Sequence, residues 1–364
     1  MHSSNRITLP VALVGAVAVV IAVVGQPPTT PALAQSSSAA EATNRITAAA
    51  QALLATLDDA GRAKVQFPFE GPQKTRWSNL PSGVFQRQGL RLGDLTPPQR
   101  AAVTTLLQAA LSTQGYQKVQ DIMQGDEVLR QSEGATGRGG PGRGRGGPGG
   151  GGGGVVFGRE EYFLAFLGTP SATAPWMLQF GGHHLAINLT MGGSGASMTP
   201  SLPAAQPASY AIEGRTVRPL GAENDRAFAL INALDSTQRS QAVLNYRVAD
   251  LVLGPGQDGR TIQPEGIRAA SLTASQQTML LDLVREWAGI MNDAYGSVRM
   301  AELKTNLPQT YFAWSGPTTN GSAAYFRVQG PTLVIEYAPQ SGVDHIHTIY
   351  RDPTNDYGAK IARK

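Results

Sequence analysis

The chain contains no cysteine, which excludes disulfides, thiolate metal ligands, thiol nucleophiles and a lipid-modified cysteine anchor. No Gly-Lys-Ser/Thr phosphate loop and no G-x-S-x-G nucleophile elbow are present, so neither a nucleotide-binding loop nor a serine hydrolase of the usual kind is indicated. Charge of one sign is scarce as well. The formal net charge of +4 is the difference between 30 Lys plus Arg and 26 Asp plus Glu. Arg6 lies in an apolar N-terminal leader, and Arg138, Arg143 and Arg145 lie in a glycine tract. The remaining body is neutral, so nothing steers it toward nucleic acid or anionic lipid. A small-molecule or anionic substrate is the expected partner. Histidine is rare, at five in 364 residues.

The one long hydrophobic run is "LPVALVGAVAVVIAVVG", residues 9 to 25, with Ala32 and Ala34 in the small-x-small pattern of a signal-peptidase site. Residues 1–34 are expected to be a signal peptide, and 35–43 a disordered linker. The expected location is therefore exported, periplasmic or extracellular, with no membrane contact once the leader is cleaved; a retained anchor is the alternative.

Internal similarity organises the rest. "LLATLDDAGRA" (53–63) resembles "LINALDSTQRS" (230–240), and "GLRLGDLTPPQRAAVTTLLQAAL" (89–111) resembles "GIRAASLTASQQTMLLDLVREWA" (266–288), both at an offset of 177. "YFLAFLGTPSATAPWMLQFGGHHLAINLT" (162–190) matches "YFAWSGPTTNGSAAYFRVQGPTLVIEYA" (311–338) at an offset of 148. The change of offset places an insertion in the first copy, and "GRGGPGRGRGGPGGGGGG" (137–154) fits it. The Gly-rich insertion, 133–157, is expected to be disordered and solvated rather than an RNA-binding box.

The expected fold class is α+β. Two pseudo-repeated units, 44–210 and 211–364, each carry a helical pair followed by an antiparallel β-meander, and the two sheets can join. A helix is predicted over 44–60. Thr96 and Thr273 are predicted N-caps, the first with Pro97 at the first helical position. Val103, Leu106, Leu107 and Leu111, and Leu280, Leu283, Val284 and Trp287, form the apolar stripes.

Four of the five histidines sit in two clusters, "GGHHLAINLT" and "HIHTIYRDPTNDYG". If residues 183 to 190 are extended, His184, Ala186 and Asn188 share one face and His183 lies on the other. His345 and His347 are two apart and point the same way in an extended segment. Three imidazoles, His184, His345 and His347, suffice for a zinc or copper ion with one open position; adding His183 would close the site. Asp344, Asp352 or Asp356 are candidates to orient a ligand or act as base, and Arg351 to grip a carboxylate or phosphate. Asn188, Trp176, Thr199 and Asn355 are candidates to line a substrate cleft. The second copy has Pro331 and Thr332 in place of the histidine pair, so the shared scaffold does not require these imidazoles. Two blander readings stand beside these: histidines hydrogen-bonded to backbone, and an Arg–Asp pair closing an Asx-turn.

Taken together, "FLGTPSATAPW", "GGHHLAINLT", "MTPSLPAAQPA" and "HIHTIYRDPTNDYG" resemble the motifs of the bacterial family catalogued as domain of unknown function 3500, over essentially the whole chain from residue 44. The resemblance falls on His183, His184, Asn188, Thr199, Pro200, His345, His347, Arg351, Asp352, Pro353, Asn355 and Gly358; the glycine tract departs from it. It implies no activity. The residues themselves lead to an expected metal-dependent enzyme, a hydrolase, with non-catalytic binding of a metal or small ligand as the alternative.

Overall fold

The computed structural model describes residue 1 and residues 31–136 and 154–362. The apolar run of the expected signal peptide and most of the glycine tract lie outside the described residues. Among the described residues, no helix is long and apolar enough to cross a membrane.

The fold is mixed α+β. Its first half runs α1 (Pro31–Ala55), α2 (Asp59–Val65), β1 (Gln66–Phe67), β2 (Leu90–Arg91), α3 (Pro97–Ala110), α4 (Thr113–Thr136), β3 (Phe163–Leu167), β4 (Trp176–Gly182), β5 (Leu185–Gly192), β6 (Gly195–Ser197) and β7 (Leu202–Pro203). A hairpin of β8 (Tyr210–Ile212) and β9 (Arg215–Val217) follows. The second half runs α5 (Gly221–Ala233), α6 (Ser236–Ala242), β10 (Ile267–Arg268), α7 (Ala274–Ala288), α8 (Asp293–Asn306), β11 (Tyr311–Ser315), β12 (Tyr325–Gly330), β13 (Leu333–Pro339) and β14 (Ile346–Arg351).

The predicted helix starts are present, and their caps explain them. The Thr96 N–H donates to Gln99 Oε1 at 2.9 Å, and Thr273 exchanges hydrogen bonds with Gln276 at 2.9 and 3.3 Å, which satisfies N–H groups that have no intrahelical partner. The helix expected over 44–60 is two helices instead. It ends at Ala55, and Asp58 accepts from the Gly61 N–H at 2.8 Å to cap a new one. The segment expected as a disordered linker, 35–43, is also different: it belongs to α1, and Ala39 and Ala42 are buried in the core. Thr43 hydrogen-bonds Tyr295 Oη at 2.6 Å, which ties that helix to α8. Small residues made the segment look like a spacer, whereas they let the helix approach its neighbours closely. At the insertion, α4 continues to Thr136, and the Val156 N–H bonds Ser82 O at 2.9 Å as the chain returns.

One sheet has seven strands, along the path β1-β3-β4-β5-β6 with β2 on β3 and β7 on β5; the other has five in the order β10-β11-β12-β13-β14. Strand parity sorts their faces. Leu185, Ile187, Leu189 and Met191 of β5 pack into a core with Ile46, Leu53, Leu106 and Leu107 of the helices, and Ile346 and Tyr350 of β14 pack into a second core with Leu283 and Trp287. The opposite faces meet in a third cluster that combines Ala186 of β5, Leu202 and Ala204, Ile349 of β14, Trp77 and Tyr357. Residues 201–205 run through this region. On one side Ala186 pairs with Leu202, and on the other Ser201 and Tyr350 exchange backbone hydrogen bonds at 2.9 and 2.8 Å, as do Ala205 and Ile346 at 2.9 Å. Ala204 N–H donates to His184 O at 2.8 Å, so the start of β14 is held one residue away from the hairpin between β4 and β5.

Candidate metal centre

His183 and His184 are not the first residues of a strand. They form the two-residue turn between β4 and β5, and His184 adopts the left-handed conformation with φ 61°. That region suits glycine and asparagine better than a ring-bearing residue, so the conformation is held by its surroundings. The His184 N–H donates to Asn79 O at 3.1 Å, and Tyr162 Oη donates to His183 O at 2.8 Å. Gly182 is required just before the turn, because a Cβ there would lie 2.8 Å from the Tyr162 ring.

The two rings nonetheless divide as strand parity expects. His183 turns toward the helices, where its Nδ1 meets Asp126 Oδ1 of α4 at 2.5 Å and Phe157 packs against its ring at 4.9 Å. His184 turns to the other side, with its ring tilted 32° against His183 at 3.6 Å between centroids.

There it meets the second cluster. His184 Nε2 lies 2.9 Å from His345 Nε2, which lies 2.9 Å from His347 Nε2. Three imidazole nitrogens from two remote stretches thus lie within 4.8 Å of one another. Four-coordinate zinc with bonds of ~2.0–2.1 Å spaces its ligand atoms by about 3.3 Å, close to the separations found here. The donors fit the ion chemically as well, since neutral imidazole is the ligating form. Burial holds the His184 imidazole well below the ordinary histidine range, with the neighbouring His183, His345 and His347 acting in the same direction. Burial, with His347 beside it, brings His345 down to about 4. Both rings are therefore neutral at physiological pH. His184 is buried, whereas His345 and His347 are half-buried, so the point of convergence is reached from their side.

Two polar side chains adjoin His347. Asp250 Oδ1 lies 3.4 Å from its Nδ1, a long contact, and also accepts from Gln340 Nε2 at 2.8 Å. Burial opposes the ionised form of Asp250, but the His347 contact and the Leu251 N–H outweigh it and hold that carboxyl below its usual range. Asn79 Nδ2 lies 3.2 Å from His347 Nε2. Asp126, His183 and His184 form a second convergent group. There the His183 and His184 rings are tilted 32° to each other, and Asp126 with His183 is a hydrogen-bonded pair, which leaves His183 Nδ1 engaged.

The other residues anticipated from sequence lie elsewhere. Arg351 is four positions beyond His347 on β14, about 13 Å along an extended strand. Its guanidinium donates to Leu253 O at 2.7 Å, Gly254 O at 3.1 Å, Asp258 at 3.1 Å and Asp356 at 2.8 Å. Asp356 Oδ1 also accepts from the Asp352 N–H at 3.0 Å, while the Asp352 carboxylate accepts from Thr354 N–H and Oγ1 and pairs with Arg299 at 3.2 Å. Arg351, expected to grip an anion, and Asp352 and Asp356, expected as base or support, thus serve a buried internal network. Asp344 is exposed and accepts from the Ala208 N–H at 3.1 Å. Trp176, expected in a cleft, is fully buried against the helices with its indole N–H on Ser171 O at 3.0 Å. Thr199 and Asn355 belong to the C-terminal turn: Thr199 O accepts from Tyr357 N–H at 2.6 Å, and Asn355 Oδ1 from Lys360 N–H at 2.8 Å. Asn188 is buried and donates to Pro200 O at 2.8 Å.

Asp126, Asn79 and Asp250 had no signal in the sequence. The first lies in the polar helix α4, and the other two lie in irregular segments between β1 and β2 and between α6 and β10. Only contact with a histidine marks them out.

The fold and the cluster together define a mixed α+β protein with a convergent three-histidine group able to hold a metal ion. The chain belongs to the family described as protein of unknown function DUF3500, whose sequence pattern matches residues 39–359. No curated protein and no solved structure matches it.

Proposed function

We propose that the protein is an exported metal-binding protein whose centre is His184, His345 and His347, loaded with zinc or copper. The observation that carries the reading is the approach of three imidazole Nε2 atoms, in two steps of 2.9 Å, from segments that the sequence separates by 161 positions. His345 Nε2 faces two other imidazole nitrogens and carries either one proton or one lone pair, so it serves both poorly, whereas a divalent cation satisfies all three nitrogens at once.

The scaffold reads as a tandem duplication with joined sheets. In support, β2, α2 and α3 recur as β10, α6 and α7 at an offset of 177, and β3 and β5 recur as β11 and β13 at 148. The site uses residues that only one copy carries at each position. β7 pairs with β5, and the flanking Ser201 and Ala205 bond to Tyr350 and Ile346 of β14, which supports a seam between the sheets beside the two histidine clusters.

Of the two finer functions, binding without turnover is the better supported. Asp352 and Asp356 are engaged by arginines, and Asp250, the carboxylate in contact with the cluster, faces the far nitrogen of His347. A hydrolase is the second reading, favoured by the half-buried His345 and His347, which leave one side of the ion open to water and substrate.

Metal analysis of the purified chain, followed by calorimetric titration with zinc and copper, tests the proposal. One ion per chain is expected, lost in His345→Ala and His347→Ala. A wild-type protein that carries and takes up no metal sinks it. Hydrolysis of an activated ester by the zinc-loaded protein, abolished by the same substitutions, would move the function to the second reading.

A further inference from the structure

We infer that Asn79 is a fourth ligand of this centre, donating its carboxamide oxygen to the ion; the inference rests on the metal reading above. The side-chain terminus of Asn79 lies 3.2 Å from His347 Nε2, the same nitrogen that faces His345 Nε2 at 2.9 Å. It therefore adjoins the nitrogen of His347 that faces the other imidazoles, whereas Asp250 touches the far nitrogen.

The carboxamide is suited to either state of the site. Without an ion, the His347 lone pair takes an N–H, and the amide presents Nδ2. With an ion bound, that lone pair is committed, and an N–H would face a cation. A half-turn of the amide exchanges nitrogen and oxygen within one shape and presents an acceptor with lone pairs instead. Ligand atoms about a tetrahedral ion with bonds of ~2.0–2.1 Å lie about 3.3 Å apart, so the amide terminus already stands at ligand spacing from His347 Nε2.

The backbone fixes Asn79 in this place. Its carbonyl accepts from the His184 N–H at 3.1 Å, which joins it to the turn bearing a ligand. Arg87 Nη2 donates to Ser78 O, Leu80 O and Gly182 O, each at 2.7 Å. One guanidinium thus grips the residues on both sides of Asn79 and the residue before the histidine turn. The side chain is buried, so it has little room to leave. Three nitrogens and one neutral oxygen make a borderline-hard donor set, which selects a divalent ion over Cu(I). The amide oxygen is the weakest of the four donors, so its position is where an incoming water or anion enters.

Zinc and cobalt titrations of the full chain, Asn79→Ala and Asn79→Asp test this. Asn79→Ala is expected to weaken zinc binding by about tenfold or more and to change the visible spectrum of the cobalt form, as water replaces the amide; Asn79→Asp is expected to tighten binding by about tenfold, as a carboxylate replaces it. The inference is overturned if the wild type binds but Asn79→Ala stays within about twofold of it. It is equally overturned if affinity falls while the cobalt spectrum is unchanged, because the side chain then acts outside the coordination shell. Asn79→Asp, nearly isosteric, decides the matter should Asn79→Ala fold poorly: an unaltered cobalt spectrum in that variant refutes ligation. A wild type that binds no metal is a different failure, that of the parent reading.

Discussion

Replacing Arg351 with methionine separates two roles for this residue, gripping a substrate anion or holding the fold. The guanidinium is 2% exposed and makes four hydrogen bonds, two to backbone carbonyls and two to carboxylates, and its charge lies 5.9 Å from the Trp77 ring. Methionine fills much of the stem volume but leaves Asp258 and Asp356 facing each other with no cation. Removing one partner of a buried ion pair costs about 3–5 kcal/mol. The Asp258 side chain is 28% exposed, which screens part of that loss and places the expectation near the lower end. About 3 kcal/mol corresponds to a fall in Tm of roughly 4–5 °C for a fold of about 320 residues, at about 2.1 cal/mol/K per residue. Urea denaturation should report the loss as a lower midpoint with unchanged slope. The deficit also has a pH signature. Burial raises the Asp356 carboxyl above its ordinary range while Arg351 opposes the rise. Without the arginine, the folded-state pKa climbs further above the unfolded value, so this group stabilises the fold below the unfolded pKa, and that contribution is lost as pH rises through the folded pKa. Arg351→Met should therefore lie closer to wild type at acidic pH than at neutral pH. A loss under about 1 kcal/mol, or a deficit that grows on acidification, would refute the structural role.

Three further outcomes follow from the same geometry. His184→Asn should fold, because asparagine tolerates the left-handed turn, but should bind zinc at least about tenfold more weakly; retained affinity would remove His184 from the centre. Asp250→Asn should lower zinc affinity by about tenfold through poorer orientation of His347, measured by calorimetric titration, and an unchanged constant would make that 3.4 Å contact incidental. Gly182→Ala should cost about 1–3 kcal/mol by forcing Tyr162 off His183 O and should weaken metal binding with it; a variant as stable as wild type would show that the hairpin yields without strain.

Much of the scaffold is legible before any coordinates, because caps and periodicity are local. Thr96 and Thr273 cap where their sequence pattern requires, and the β3, β4 and β5 segments fall where Gly and Pro punctuate the apolar runs. The exceptions have local causes that compete with a visible one: Asp58 interrupts a continuous apolar pattern, and the alanines of residues 39–42 pack where a spacer was expected. For the site, the parity of His345 and His347 and the division between His183 and His184 can be read from spacing, although His184 achieves its orientation from a turn. What spacing cannot convey is which polar residues are already spent. Arg351, Asp352 and Asp356 look like a site loop in sequence, and their charges are consumed by one another, by Arg299 and by backbone carbonyls. Asn79 and Asp250 carry no pattern at all.

From sequence alone come the four clustered histidines, the absence of thiol ligands and the mixed α+β class, since composition and short-range periodicity need no partner to be read. Tertiary structure alone decides that His184 meets His345 and His347, that Asn79 stands beside them and that Arg351 faces inward. Those contacts depend on residues 201–205 bonding to β5 on one edge and to β14 on the other, and backbone hydrogen bonds between distant segments leave no mark in the local order of side chains.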